Sequence, residues 1–271
     1  MLLNLTPSGH ELQRKMLLEH SSIIRTVFIC SLVLLILVPI CVGFCFIKSN
    51  TETDYMCNVA MILVNNGEDY MTGESNTSQG TAFLIANSDG STDGYMLTAR
   101  HVIDGTVQKE VALIFPDIIN ENDEPLITTA SLVWTTNVQF DGNDVNTLRY
   151  DVALLKLDDV SILPENVTGF LIGTEVTAKQ DISIYGFPYE EGYAKDGQIA
   201  NNSFKNTEDL FTLDFEIDHG ASGAPIYRED TGEALGIAIA SATYTDLQNI
   251  CISLKRALEL MDQDGVKNLI D

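Results

Sequence analysis

The pattern of apolar and polar positions changes character near residue 50. From Thr26 to Ile47 the chain runs for 22 residues without a charge, bracketed by Arg25 and Lys48. As a helix rising ~1.5 Å per residue this stretch would extend roughly 33 Å, enough for a hydrocarbon layer of about 30 Å. A soluble helix of that length keeps a polar face, and this one has none. It also exceeds the ~7–15-residue apolar core of a secretory signal, and no small-x-small cleavage site follows. The stretch 26–47 is read as one transmembrane helix after a cytoplasmic segment, 1–25. Arg14, Lys15 and Arg25 precede it and only Lys48 lies just after it. The positive-inside rule then places the N-terminus in the cytoplasm and residues 51 onward outside.

After a short linker, 48–57, apolar runs become brief and are separated by Gly, Asn and Asp clusters. Thr81–Ala86 reads as a strand. Asn87–Gly94 is a turn-rich connection, and Tyr95–Thr98 returns as a strand. Further strand candidates are Val111–Phe115, Ala130–Trp134, Val152–Leu157, Ile182–Tyr185, Leu210–Phe215, Ala224–Tyr227 and Leu235–Ala240. Many short strands punctuated by turns indicate an all-β sandwich or a pair of barrels. A single helix is expected outside the membrane run, Leu254–Asp262, with Leu254, Ala257, Leu258 and Met261 on one face. Asp158–Gly169, polar and holding Pro164, divides the β region into halves, 58–163 and 164–271.

Charge narrows the partners. Lys plus Arg number 15 against 39 Asp plus Glu, a net charge of −24. Nucleic-acid binding needs clustered cations on phosphates and is not expected. Solubility accounts for the acidity, and a cationic substrate is the weaker alternative. Cysteine is sparse. Cys30, Cys41 and Cys45 fall in the apolar run without His partners, so no metal site is expected. Cys57 and Cys251 are the other two; they would pair only in an oxidising compartment, and spacing alone does not decide it.

Three short segments carry candidate chemistry. In Leu97-Thr-Ala-Arg-His-Val102 a histidine follows a strand end. In Tyr150-Asp-Val-Ala-Leu-Leu-Lys-Leu157 an aspartate precedes a nearly continuous apolar strand, an unremarkable place for Asp by itself. In Asp218-His-Gly-Ala-Ser-Gly-Ala-Pro225 glycines flank a serine, and such a loop can aim consecutive N–H groups at one point. Each alone is an ordinary loop or strand end. All three in this order are not.

Thr98-Ala-Arg-His101, Asp151-Val-Ala-Leu-Leu and Gly220-Ala-Ser-Gly-Ala-Pro225 resemble the His, Asp and Ser motifs of the chymotrypsin-like serine proteases, in their bacterial Deg-type branch. Gly80-Thr-Ala-Phe-Leu-Ile85, Tyr185-Gly-Phe-Pro188 and Ile250-Cys-Ile-Ser-Leu254 resemble further segments of that branch. The resemblance covers roughly 58–262. It implies two six-stranded antiparallel β-barrels and a C-terminal helix, with His101 and Asp151 from the first barrel and Ser222 from the second. Ser222 would be the nucleophile, His101 the general base, and Asp151 the group that holds the histidine tautomer. The N–H groups of Gly220 and Ser222 would form an oxyanion hole. Asp104, three residues after His101, is the rival third member, but that spacing suits a cap of the next turn better.

The chain departs from the family in places. Ala221 stands where animal enzymes have an aspartate that receives a freed N-terminus, so activation by that ion pair is not implied. Ala82 and Ala224 replace glycines, Arg100 replaces a small residue, and no PDZ-like domain is expected after the protease unit. Ile239, Ala240 and Ser241 would wall the primary specificity pocket. Glu216 or Asp218 near its base would favour a basic residue before the cut, whereas the Deg branch implies a small aliphatic one. His219 reads as a solvated loop residue. The expected function is a membrane-anchored serine endopeptidase acting on protein or peptide substrate, without cofactor. The alternative is a catalytically weak binding or sensing protein on the same scaffold.

Overall fold

In a computed structural model, residues 55–68, 75–104, 110–138, 141, 144–188, 191–239 and 249–270 are described. The run expected to cross a membrane, 26–47, lies outside them, as do Ala240 and Ser241. Among the described residues no helix is long and apolar enough to cross a membrane.

A 3₁₀ turn, Tyr55–Asn58, leads into β1, Val59–Glu68. Its first half, Val59 to Val64, is an apolar run whose side chains are buried except for a half-exposed Leu63. There is no in–out alternation to read because β1 also packs on the second barrel, against the strand Asp181–Gly186. β2 (Ser75–Leu84), β3 (Tyr95–Thr98), β4 (Glu110–Ile119), β5 (Pro125–Thr135) and β6 (Ala153–Leu157) complete a closed barrel in the order β1-β2-β3-β6-β5-β4. All its pairings are antiparallel. Two four-residue helices interrupt it, α1 (Arg100–Ile103) after β3 and α2 (Val145–Leu148) before β6.

The segment Asp158–Gly169 holds a 3₁₀ turn, Val160–Ile162, and a buried Val167. Gly169 has φ +83°, and a Cβ there would stand 2.6 Å from the Ile85 carbonyl carbon, so only glycine lets the chain pass. Immediately afterwards Phe170 exchanges backbone bonds with the end of β2 and its neighbour: its N–H donates to Leu84, and Ala86 N–H donates to it. Phe170 sits among Tyr55, Phe83 and Tyr227, a ring cluster that draws on both barrels.

The second barrel comprises β8 (Asp181–Gly186), β9 (Tyr193–Asn201), β10 (Leu210–Leu213), β11 (Pro225–Arg228), β12 (Glu233–Ile239) and β13 (Ile250–Ser253). The order β11-β8-β9-β10-β13-β12 closes through β11–β12. The six expected strands close the barrel, and one short strand lies outside that ring. β7, Leu171–Ile172, adds a two-residue seventh strand, parallel to β12. The barrel is filled by Ile182, Ile184, Ile199, Phe211, Leu213 and Ile226, with small Ala221, Ala224 and Ala238 between them. Cys57 and Cys251 are buried and form no disulfide with each other, and burial pushes the Cys251 thiol well above its usual range.

α3, Leu254–Gln263, closes the fold. The Ser253 hydroxyl caps it by accepting the Arg256 N–H. Leu254, Ala257, Leu260 and Met261 are buried, while Leu258 is only partly so. At its far end Asp264 accepts a bond from the Trp134 indole of β5 at 2.9 Å, which fastens the helix to the first barrel. Both barrels and α3 belong to one unit, Thr53–Asp271.

Candidate active site

Register brings the histidine and the aspartate together. In the antiparallel β3–β6 pair Thr98 faces Ala153. The chain leaving β3 and the chain entering β6 therefore emerge at the same end of the barrel. His101 lies three residues beyond Thr98, on α1, and Asp151 two residues before Ala153. His101 Nδ1 and Asp151 Oδ2 are 2.6 Å apart, and the His101 backbone N–H donates to Asp151 Oδ1 at 2.8 Å. The carboxylate is completely buried and has both oxygens engaged by one residue. Ser222, 6% exposed, comes from the loop before β11. Its Oγ is 2.9 Å from His101 Nε2.

The tautomer follows from this geometry. An ionised carboxylate only accepts, so Nδ1 must carry the proton and Nε2 is left to accept from the Ser222 hydroxyl. Burial opposes charging the imidazole, but the Asp151 charge and hydrogen bond outweigh it, aided by Asp104, and the His101 pKa stands above its ordinary value. The imidazole keeps 24% of its side-chain surface exposed. Asp104, the rival third member, is engaged elsewhere: its Oδ1 pairs with Arg100 Nε at 3.1 Å.

The serine loop is shaped by two glycines. Gly220 has φ +96°, and a Cβ there would stand 2.6 Å from the Phe187 carbonyl oxygen. Gly223 has φ +89°, and its Cβ would meet the Thr81 carbonyl oxygen at 2.0 Å. The loop's amides are sorted as a result. Those of Ala221, Gly223 and Ala224 donate to Asp218, Ala238 and Ala221 carbonyls. Those of Gly220 and Ser222 have no acceptor among the described residues. Two unspent N–H groups in the turn that carries the serine are what an oxyanion hole requires. The Ala224 methyl is buried beside Gly186, where a Cβ would lie 3.0 Å away; the missing side chain at 186 makes the room.

Sequence reasoning missed what holds the loop in place. The first barrel does so through β2. Thr81 N–H donates to the Ser222 carbonyl at 2.8 Å. The Thr81 hydroxyl donates to the Gly220 carbonyl and accepts from Phe187 N–H, at 2.9 and 3.2 Å. Gln79 Nε2 donates to the Phe187 carbonyl at 2.7 Å, and the Thr98 hydroxyl to the Thr81 carbonyl at 2.7 Å. The available signal was a polar pair, Gln79 and Thr81, flanking a glycine just before an apolar strand. Of the specificity residues, Ile239 ends β12 and is buried; Ala240 and Ser241 lie outside the described residues. Glu216, Asp218 and His219 are exposed, and Ile217 between them is buried.

Two closed β-barrels with a serine, a histidine and a buried carboxylate in hydrogen-bond series where they meet define the architecture of the chymotrypsin-like serine peptidases. Residues 80–237, more than half of the chain, match the trypsin-like peptidase domain, and the chain belongs to that family, a hydrolase of the serine protease type. The fold is shared with solved proteases. The Rv3671c protease of M. tuberculosis in its inactive form aligns at a TM-score of 0.50, with 17% identity over 78% of this chain and 90% of that one. The HtrA-type protease AlgW, solved with a decapeptide, aligns at 0.52, with 20% identity over 80% of this chain and 69% of that one. At such identities the likeness concerns the fold. No curated protein matches the sequence significantly.

Proposed function

We propose that the chain is a membrane-anchored serine endopeptidase that cleaves peptide bonds through an acyl-enzyme. The observation that carries this reading is the series Asp151–His101–Ser222, at 2.6 and 2.9 Å. Ser222 Oγ attacks the scissile carbonyl carbon while His101 Nε2 takes its proton. Asp151 holds the Nδ1 proton and stabilises the imidazolium. The carbonyl oxygen, now an oxyanion, is met by the Gly220 and Ser222 N–H groups. Collapse of the tetrahedral adduct breaks the C–N bond, and Nε2 returns its proton to the leaving amine. Water, deprotonated by the same nitrogen, then hydrolyses the ester and restores Ser222.

The substrate class is peptide, as the decapeptide on the fold relative AlgW suggests. The uncharged run 26–47 supports a single-span anchor, and the cations before it support a catalytic unit outside the cytoplasm. Labelling with a serine-directed fluorophosphonate tests the reading. The probe should attach to Ser222 in the wild type and fail in Ser222→Ala. A folded protein that does not label is the binding scaffold instead.

A further inference from the structure

Arg100 and Tyr150 each stand one residue upstream of a member of the His101–Asp151 pair. Between them lies Thr136, just past β5 and 4% exposed. Its hydroxyl donates to the Tyr150 carbonyl at 2.8 Å and accepts from Arg100 Nη1 at 3.3 Å. The same Nη1 donates to the Thr136 carbonyl at 2.8 Å and reaches the Val138 carbonyl. Asp104 fixes the other edge of the guanidinium. On the far side of Asp151 the Thr135 hydroxyl donates to the Val152 carbonyl at 3.2 Å. The aspartate is thus bracketed by two carbonyls, each held by a threonine hydroxyl, and one of these is tied to the helix that bears the histidine.

Those ties matter because the elements they join are weak. α1 has four residues and no side-chain N-cap, and Asp151 lies in irregular chain between α2 and β6. β3–β6 pairing fixes the backbone only as far as Thr98 and Ala153. A planar guanidinium with several fixed donors suits a rigid brace; its side chain is 14% exposed. We propose that Arg100 and Thr136 are positioning residues, a brace from α1 through Thr136 to Tyr150 that sets the spacing at which Asp151 meets His101 Nδ1 and Nε2 meets Ser222.

The proposal rests on the triad reading, and the test separates the two. Full-length protein is reacted with a fluorophosphonate, and the second-order labelling rate is followed against pH and alongside thermal unfolding. Thr136→Val, which removes the hydroxyl without changing charge, should slow labelling about tenfold and lower the pH inflection of His101, since a misplaced carboxylate no longer favours the imidazolium. Thr136→Ser should stay within about twofold of wild type. Arg100→Ala should lose about tenfold, and the double variant Arg100→Ala/Thr136→Val little more than either alone, because both cut one brace. Folded Thr136→Val with wild-type rate and inflection, Thr136→Ser as slow as Thr136→Val, or losses that multiply would each overturn the brace. If Thr136→Val does not fold, Arg100→Ala carries the rate test, and a wild-type rate there overturns it. Absence of labelling in the wild type itself would instead remove the triad reading.

Discussion

The Thr81 hydroxyl, on β2 of the first barrel, donates to the carbonyl of Gly220 in the serine loop of the second at 2.9 Å. A side chain that touches no reacting atom therefore orients the peptide that follows Gly220 N–H, one of the two proposed oxyanion donors. Thr81→Val keeps shape and removes this bond together with the one the hydroxyl accepts from Phe187 N–H. It should lower kcat/KM about tenfold, less than the roughly 10²–10³ of deleting a donor outright. Steady-state kinetics on one fluorogenic peptide, with circular dichroism as fold control, decides it; an unchanged kcat/KM refutes it.

Ser222→Ala and His101→Ala should each remove about 10⁶ in turnover, and combining them should cost little more. Asp151→Asn should cost on the order of 10⁴ by presenting the wrong imidazole tautomer. Asp104→Asn should leave most activity, because that carboxylate is engaged with Arg100. Should Asp104→Asn be the crippling change, Asp151 is not the orienting group.

Catalysis needs neutral His101, whose pKa is raised above its ordinary value of about 6.5 by Asp151, with Asp104 assisting against burial. The acid limb of the kcat/KM profile should therefore have its inflection above about 6.5. The linked stability runs the other way. A raised native pKa contributes stability that is full below the unfolded value and is lost as pH rises through the folded one. Activity is gained over the pH range in which this contribution is lost. An inflection below 6.5 contradicts the assignment, and NMR titration of His101 in Asp151→Asn should show the value fall.

Gly223→Ala adds a Cβ at φ +89° that would stand 2.0 Å from the Thr81 carbonyl oxygen. It should destabilise by about 3 kcal/mol. Gly90→Ala is the control. It has φ +84° but nothing within 4 Å, so only backbone strain remains, about 1 kcal/mol. Urea unfolding of both gives the difference directly; equal losses would mean that the close approach to Thr81 carries no cost.

Ile36→Arg, near the middle of the uncharged run, should weaken membrane insertion by ~2.5–3.5 kcal/mol. In intact cells a C-terminal tag should be digested by external protease. A tag that resists digestion until the membrane is opened would reverse the proposed orientation.

How much of this was legible in the sequence depended on which residues carried the information. β6 and α3 were read almost to the residue, because a short apolar run and a helical spacing are local signals. β9, Tyr193–Asn201, escaped: its side chains are mostly exposed or half-exposed, and Ile199 is the single buried one. β1 escaped for the opposite reason, its first half, Val59 to Val64, being almost wholly buried without alternation. Segments holding His101, Asp151 and Ser222 stood out by glycine spacing and strand ends. Gln79, Thr81 and Thr136 did not, since a polar residue beside a strand looks the same whether it meets water or a carbonyl elsewhere in the chain.

The bonds from Gln79 and Thr81 to Phe187, Gly220 and Ser222 have a consequence for how such a chain can be rebuilt or can diverge. A chimera that exchanges one barrel for a relative's keeps every strand and still breaks the seam, unless β2 travels with the Tyr185–Pro188 and serine-loop segments it grips. The heritable module of this enzyme is the seam with its two flanking edges, and recombination points that spare it should yield working hybrids where cuts between the barrels do not.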